Sequence, residues 1–241
     1  TRLFDRVRQR LVLTSAGSLL LSRLSPALNT LEGAVLETMA SQQGSGNVQL
    51  AVPPTFAAKW LIPRLAAFSA AHPDIFVHLT MRLGLPDFED GRLDAAIYFG
   101  EPLPDADCTL LMAEESVVVA SPAVAASLRT LEDLQQAPLL HLTSRASAWQ
   151  EWATARGLPL DTGAGPRFEL FSMVAQAAAA GLGVAVLPRF LVLDELLAGR
   201  LVALFGPPLP SARAAYHVAC PVSRAGLAPV RLLCDWLLAQ A

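Results

Sequence analysis

Residues 48–71 read VQLAVPPTFAAKWLIPRLAAFSAA, and this stretch decides the fold class. Val48–Val52 is a short apolar run typical of a buried strand, and Pro53 and Pro54 end it. The segment Phe56–Ala71 then predicts a helix, because its large apolar residues fall on one face: Trp60, Leu61, Leu65 and Phe68. A strand that passes directly into an amphipathic helix is the first part of a β-α-β unit, which builds parallel sheets covered by helices.

The same alternation continues to the end of the chain and predicts an α/β protein. Further strands are predicted at Ile75–Thr80, Ala95–Phe99, Leu110–Ala120, Leu139–Leu142, Arg167–Leu170, Gly183–Leu187, Leu201–Leu204 and Ala214–Cys220. Further helices are predicted at Ala148–Arg156, Ser172–Ala180, Phe190–Ala198 and from about Ala225 to Ala239. Two such sets joined by long strands indicate two lobes with mixed, mostly parallel sheets and a ligand cleft between them. We place lobe I at about 48–115 and 214–241, and lobe II at about 116–213.

The N-terminal region differs in charge from the rest of the chain. The 241 residues have a formal net charge of −3, but the first 23 contain five arginines and one acid, Asp5. That segment is therefore +4 and the remainder −7, an asymmetry that favours an anionic partner for the N-terminal end. Alternating apolar residues within 3–14 predict a small hairpin.

Residues 15–42 predict one long helix. Its apolar residues are spaced 3, 4, 3 and 4, which is the heptad spacing of helices that pair with each other: Leu21, Leu24, Leu28, Leu31 and Val35. The alternative is an ordinary amphipathic helix that packs on its own domain. The polar segment 41–47 that follows favours self-association, because it separates the helix from the lobes.

Composition excludes several classes of protein. With 53% apolar and 16% charged residues, the chain is neither disordered nor a disulfide-rich miniprotein. Cys108, Cys220 and Cys234 are far apart in sequence and predict buried free thiols, and neither these nor the four histidines have metal-ligand spacing. We therefore expect no metal and no cofactor. Without a credible signal peptide or transmembrane segment, we also expect a cytoplasmic protein with no membrane contact.

The sequence lacks the motifs of several common enzyme classes. The G-x-S-x-G, P-loop and HExxH patterns do not occur, and the glycines of 181–183 precede a strand instead of following one. The adjacent acids Glu89-Asp90 and Glu114-Glu115 predict solvated surface, since neighbouring side chains point apart. The expectation is a binding protein and not an enzyme.

Several segments together resemble the LysR-type transcriptional regulators. They are Leu3-Phe4-Asp5-Arg6 with Leu13-Thr14-Ser15-Ala16-Gly17, Leu61-Ile62-Pro63-Arg64-Leu65, Leu93 to Gly100 (LDAAIYFG) and Gly181 to Pro188 (GLGVAVLP). Thr143-Ser144-Arg145 with Trp149 and Trp152 resembles the branch of glycine-cleavage and β-lactamase regulators. Tyr98 replaces a family arginine expected at the cleft.

The resemblance implies a periplasmic-binding-protein-like effector domain at 48–241, a linker or dimerisation helix at 15–42, and a remnant of a winged helix-turn-helix at 1–14. It implies that the recognition helix lies before Thr1. It also implies DNA as a partner, contacted here by Arg2, Arg6, Arg8 and Arg10 through phosphates. A small-molecule effector, a homodimer or homotetramer and RNA polymerase complete the implied partners.

The implied effector site lies at strand ends that face the cleft: Thr55, Phe56, Leu85, Phe99, Gly100, Ser144, Phe171 and Ser172. Thr55 and Ser144 each lie between a strand and a helix, where a hydroxyl and free backbone N–H groups can hold an anion. Either residue could instead cap its own helix. Trp149 and Trp152 are three residues apart and are expected in the core.

A second interpretation is a free-standing solute-binding protein of a transport system, which has the same two-lobed architecture. Such a protein needs a signal peptide and has no use for a basic hairpin or a heptad helix. The sequence therefore favours the regulator.

Overall fold

The structure of the chain, a computed structural model, describes residues 1–7, 10–40 and 46–241. The strands are β1 (Phe4–Val7), β2 (Arg10–Leu13), β3 (Gly46–Val52), β4 (Ile75–Met81), β5 (Ala95–Gly100), β6 (Ala106–Ala120), β7 (Leu139–Leu142), β8 (Arg167–Phe168), β9 (Val184–Pro188) and β10 (Val202–Pro221). The helices are α1 (Ser15–Ala40), α2 (Pro54–Phe56), α3 (Ile62–Ala71), α4 (Pro122–Ala125), α5 (Ala148–Ala155), α6 (Phe171–Ala179), α7 (Leu193–Leu197) and α8 (Ala228–Ala239).

Eight of these strands form one curved mixed sheet in the order β4-β3-β5-β10-β6-β9-β7-β8. The outer strands pair in parallel, β3 with β4 and β5, and β7 with β8 and β9. The central ladders of β10 with β5 and β6, and of β6 with β9, are antiparallel. The predicted α/β class with two lobes and mixed, mostly parallel sheets is confirmed.

The two lobes are joined by a pair of long strands, β6 and β10. The predicted separate strands Leu201–Leu204 and Ala214–Cys220 are the two ends of β10, a single strand of 20 residues. Its pairing with β6 shifts register between Leu204 and Leu209 and again between Pro210 and Ala215. Those irregularities let one strand serve the sheets of both lobes, which the weak apolar pattern of the intervening residues did not predict.

Each lobe has its own hydrophobic core. In lobe I, α3 and α8 cover β3 and β5, with Phe68 and Leu233 fully buried between them. In lobe II, α6 covers one face of β7 and β9, and the other face packs on Trp149 and Trp152 of α5. Both tryptophans are buried as predicted, and the Trp149 indole N–H donates to the Leu140 carbonyl at 3.0 Å.

Two of the predicted helices differ from the observed ones in their boundaries and in their internal geometry. The predicted helix Phe56–Ala71 begins at Pro54 and contains a π-helical turn, Ala57–Leu61, between α2 and α3. The predicted helix Phe190–Ala198 divides into a 3₁₀ turn, Arg189–Leu191, and the short α7.

The N-terminal hairpin is formed by β1 and β2, and it packs closely on the start of α1. The Thr14 hydroxyl donates to the Arg2 carbonyl at 2.8 Å and accepts from the Gly17 N–H at 3.0 Å, so Thr14 caps α1. A Cβ atom on Gly17 would run into the Leu3 carbonyl oxygen. In the Leu13-Thr14-Ser15-Ala16-Gly17 stretch, Thr14 is thus required as the helix cap, and Gly17 is required because the backbone of Leu3 comes close to it.

Helix α1 carries a row of exposed leucines. Leu21 is 53% exposed, Leu24 46%, Leu28 62% and Leu31 65%. These side chains therefore do not pack on the rest of their own chain. The predicted helix 15–42 extends beyond the described part of α1, and the side chain of Val35 lies outside the described residues.

Within the described segments, no helix is long and apolar enough to cross a membrane. The same segments contain no group of three or more His, Cys, Asp or Glu side chains arranged to hold a metal ion.

Candidate functional site

The two lobes touch where β3 passes into α2 and where α6 begins. The Thr55 hydroxyl oxygen accepts a hydrogen bond from the Ser172 backbone N–H at 3.2 Å. That N–H lies in the first turn of α6 and has no partner within the helix, so Thr55 satisfies it from the opposite lobe. Thr55 is 5% exposed. Two predicted site residues from different lobes are therefore in direct contact.

A buried ion pair lies in the same cleft. Arg145 donates from both terminal nitrogens to the Glu114 carboxylate, Nη1 to Oε1 and Nη2 to Oε2, each at 3.1 Å. The Glu114 side chain is 4% exposed and that of Arg145 19%. The Arg145 guanidinium carbon is also 3.2 Å from the centroid of the Phe99 ring and 5.5 Å from that of Phe171. A cation of lobe II thus lies on an aromatic side chain of lobe I.

The prediction that Glu114 is solvated surface is wrong. Successive side chains of a strand point to opposite faces, so Glu114 of β6 is buried while Glu115 is exposed. The sequence did predict the opposite orientation of the two acids, but it gave no sign that Arg145 would neutralise one of them. Arg145 ends the turn Thr143–Arg145 that follows β7, one residue beyond the predicted Ser144.

Aromatic rings form the floor of the cleft around Tyr216. The ring centroid of Tyr216 lies 4.8 Å from that of Phe56, 5.2 Å from Phe99 and 5.4 Å from Phe190. Phe190 follows β9 in lobe II, yet it packs against the core of lobe I. Phe56 and Phe99 were predicted site residues. Tyr216 and Phe190 were not, because nothing in their neighbouring sequence separates them from ordinary core residues.

Burial governs the electrostatics of this cluster. Loss of hydration raises the pKa of Glu114 above its ordinary value of 4.5, although the charge and hydrogen bonds of Arg145 and the Tyr216 hydroxyl act in the opposite direction. Burial, followed by the charge of Glu114, raises the pKa of Tyr216. The site therefore holds a neutral phenol beside a carboxylate that burial destabilises in its charged form.

The remaining predicted residues lie at the edge of this cluster. A Cβ atom on Gly100 would lie 3.1 Å from Leu85 Cδ2, so Gly100 lets Leu85 approach the end of β5. Leu85 is 57% exposed. Ser144 is exposed on its turn, and the residue of this turn that reaches into the cleft is Arg145, through its contact with Glu114. Tyr98, which occupies the place of the family arginine, is buried and donates to the Glu101 carbonyl at 3.0 Å.

A second set of contacts between the lobes lies at the rim. Lys59 Nζ is 2.8 Å from Glu195 Oε1 and 3.2 Å from Asp194 Oδ2 on α7. Next to it, a groove of about 280 Å³ runs along β6 and the segment after β9. Its lining residues are Met112, Ala113, Glu115, Arg189, Phe190 and Leu193. Phe190 therefore separates this groove from the aromatic floor of the cleft.

The arrangement has the chemistry of a binding site. Thr55 and Ser172 contact each other across the lobes, and Arg145 lies over the ring of Phe99 and 5.5 Å from that of Phe171, so both lobes supply polar groups beside aromatic surfaces. A site of this kind can hold a small polar molecule.

Comparison with known proteins identifies the class. Residues 41–241 match the family described as the LysR substrate binding domain. The HTH-type transcriptional regulator TrpI of Pseudomonas aeruginosa is 36% identical over an alignment of 211 positions, which covers 85% of this chain and 71% of TrpI. The glycine cleavage system transcriptional activator of Escherichia coli (strain K12) is 33% identical over an alignment of 249 positions, gaps included, which covers 100% of this chain and 79% of the activator. The solved effector domain of the regulator AmpR of Pseudomonas aeruginosa has a TM-score of 0.72 at 29% identity, covering 80% of this chain and 93% of that one.

The fold and the cleft thus define a two-lobed effector-binding domain of the periplasmic-binding-protein type. The chain belongs to the LysR family of transcriptional regulators. The resemblance noted in the sequence is confirmed, including its branch, and the regulator is supported over the transport protein. The matched relatives are regulators and not enzymes.

Proposed function

We propose that this chain senses a small anionic effector in the inter-lobe cleft and transmits its binding to DNA as part of a homo-oligomer. The observation that carries this proposal is the meeting of Thr55 and Ser172 across the lobes, next to Arg145. A ligand that replaces this direct contact changes the distance between the lobes. It thereby favours one of two arrangements of the regulator.

The donors indicate the chemistry of the effector. The start of α6 and the Thr55 hydroxyl are suited to a carboxylate or another anionic group, because helix N-termini carry partial positive charge. Arg145 can bind the same group through its guanidinium, in competition with Glu114. Phe56, Phe99, Phe171, Leu85 and the backbone of Gly100 then surround the less polar part of the molecule. Ser144, beside Arg145, adds a hydroxyl at the entrance.

Thermal-shift screening of the chain with a panel of amino acids and small carboxylic acids tests the effector proposal. For the compound that raises Tm most, we expect Thr55→Val to weaken its Kd at least tenfold, since one charge-assisted hydrogen bond is lost. Ser144→Ala should weaken it less. The control is Thr154→Val on the exposed end of α5, which should bind normally. Unchanged affinity in Thr55→Val would place the effector elsewhere.

The N-terminal region supplies the second part of the proposal. We assign 1–14 to a remnant of a winged helix-turn-helix, its wing, 15–42 to a linker or dimerisation helix and 48–241 to the effector domain, with lobe I at about 48–115 and 214–241 and lobe II at about 116–213. Arg2 and Arg6 are exposed on and beside the hairpin, where they are suited to phosphate contacts. Arg8 and the side chain of Arg10 lie outside the described residues. A regulator with this role acts in the cytoplasm, and RNA polymerase is a further candidate partner.

The exposed leucines of α1 are the proposed pairing surface of the dimer or tetramer. A second copy of α1 would cover Leu21, Leu24, Leu28 and Leu31, which recur at heptad spacing. Replacing Leu24 and Leu31 with glutamate should lower the sedimenting mass from oligomer to monomer at micromolar concentration, because it places charges in an apolar seam. Glutamate at Ser18 and Ser22, matched in number and charge on the same helix, serves as the control. An unchanged oligomer in the leucine variant would contradict this assignment.

A further inference from the structure

Two of the three cysteines meet inside lobe I, although 14 residues separate them in sequence. Cys220 lies on β10 and Cys234 on α8, and their sulfur atoms are 3.2 Å apart. Both are free thiols. The sulfurs of a disulfide are about 2.05 Å apart, so they need to approach each other by only about 1 Å.

The two thiols differ in their access to solvent. Cys220 is 6% exposed at the edge of the lobe I core, whereas Cys234 is only partly buried. The hydrogen bond with Cys234 and the loss of hydration raise the pKa of Cys220, so that thiol stays protonated. A small oxidant dissolved in water therefore reaches Cys234 first, and Cys220 is the sulfur held next to it.

We propose that Cys220 and Cys234 form an oxidisable thiol pair that closes to a disulfide in the presence of a peroxide. The Cys234 thiolate attacks one oxygen of hydrogen peroxide, the O–O bond breaks, and the second oxygen leaves as hydroxide. The sulfenic acid on Cys234 is then attacked by Cys220, which loses its proton as the S–S bond forms and water departs. In total, two thiols and one peroxide give one disulfide and two waters.

The position of the pair gives the disulfide a structural effect. Helix α8 packs through Val230, Leu233 and Leu237 on the sheet of lobe I. A covalent link from α8 to β10 would fix this helix on the strand that crosses between the lobes. The link also closes a short loop in the unfolded chain and so lowers the conformational entropy of the unfolded state. We therefore expect the oxidised form to have a higher Tm, by roughly 5 °C.

The proposal is tested on the full 241-residue chain with hydrogen peroxide, added in small excess to the reduced protein. Intact-mass spectrometry should show the loss of two hydrogens and no covalent dimer, and peptide mapping should find one disulfide-linked peptide that joins Cys220 to Cys234. Dithiothreitol should restore the original mass and Tm. Cys108→Ser is the control and should oxidise normally. Cys108 pairs with Ala219 in the β6–β10 ladder, so its side chain lies on the opposite face of the sheet from that of Cys220, where it contacts the Tyr98 hydroxyl at 3.6 Å and the Leu103 carbonyl oxygen at 3.7 Å.

Replacing either cysteine of the pair should prevent formation of the disulfide. Cys220→Ser should leave Cys234 with added oxygen and no disulfide, and Cys234→Ser should show neither change at low peroxide. If these variants fail to fold, the unchanged chain still decides the question. Addition of oxygen without loss of two hydrogens, or a disulfide that includes Cys108, would overturn the proposal.

Discussion

Among the described residues, ion pairs connect the lobes in two places, and the surroundings of these two places differ. Arg145 and Glu114 meet inside the cleft, where the acid is 4% exposed and an aromatic ring covers the guanidinium. Lys59 meets Asp194 and Glu195 at the rim, where the side chain of Lys59 is 28% exposed, that of Asp194 70% and that of Glu195 15%. The nitrogen-to-oxygen distances are similar, 3.1 Å in the cleft and 2.8 and 3.2 Å at the rim, but Lys59 has two carboxylate partners and more water reaches the rim.

Hydration decides what each pair contributes. Burying both charges of Arg145 and Glu114 costs much of what their attraction returns, so the intact pair specifies an arrangement more than it stabilises the fold. Removing one partner is costly because the other charge stays buried. At the rim, water reaches Asp194 and Arg200 remains 3.5 Å from Glu195, so the loss of Lys59 costs less. We therefore expect the stability of the folded chain to depend strongly on Arg145 and only weakly on Lys59.

The largest effect is expected for Arg145→Met. This change leaves Glu114 with an unpaired buried charge or forces it to take up a proton, and removes the cation from the face of Phe99. We expect a loss of about 3–5 kcal/mol in the free energy of unfolding, measured by urea titration at pH 7.

The double variant Arg145→Met with Glu114→Gln separates charge from packing. Since the neutral amide no longer requires a cation, the double variant should recover a large part of the stability that the single variant loses. A double variant as unstable as Arg145→Met alone would show that packing on Phe99, and not the charge of Glu114, is responsible.

A smaller effect is expected from pH. Burial raises the folded-state pKa of Glu114 above 4.5, so above that pH the folded chain binds more protons than the unfolded chain. The contribution of Glu114 to the free energy of unfolding therefore falls as pH rises from 4.5 through the raised pKa. Glu114→Gln should remove this slope in urea titrations at several pH values. Glu115→Gln, on the exposed side of the same strand, should keep it.

Much of this molecule follows from local sequence pattern. The alternation of strands and helices, the hairpin with its Thr14 cap, and the core positions of Trp149 and Trp152 all depend on residues within one element or its neighbours. The contact of Thr55 with Ser172 lay within the predicted site because the resemblance to the LysR-type regulators implied that both residues face the cleft.

The ion pairs did not follow from the sequence, because their partners lie far apart along the chain. Glu114 and Arg145 are 31 residues apart, and Lys59 and Glu195 are 136 apart. No periodicity relates such positions, and the crossing of β6 and β10 that brings them together depends on register shifts in β10. The same reason explains the missed cysteine contact and the insertion of Phe190 into lobe I.

The smallest effect is expected for Lys59→Met, which completes the contrast with Arg145→Met. Burial opposes the charge of Lys59, but hydrogen bonds to Glu195 and Asp194 outweigh it and raise its pKa. Glu195 keeps a second cation, since Arg200 Nη2 lies 3.5 Å from its Oε1, and Asp194 is already hydrated. We therefore expect Lys59→Met to lower the free energy of unfolding by at most about 1 kcal/mol at low salt.

In 1 M NaCl the difference from the unchanged chain should nearly vanish, while that of Arg145→Met should persist, because salt screens exposed pairs and hardly reaches buried ones. Equal losses for the two variants, or equal sensitivity to salt, would mean that hydration does not distinguish the cleft from the rim.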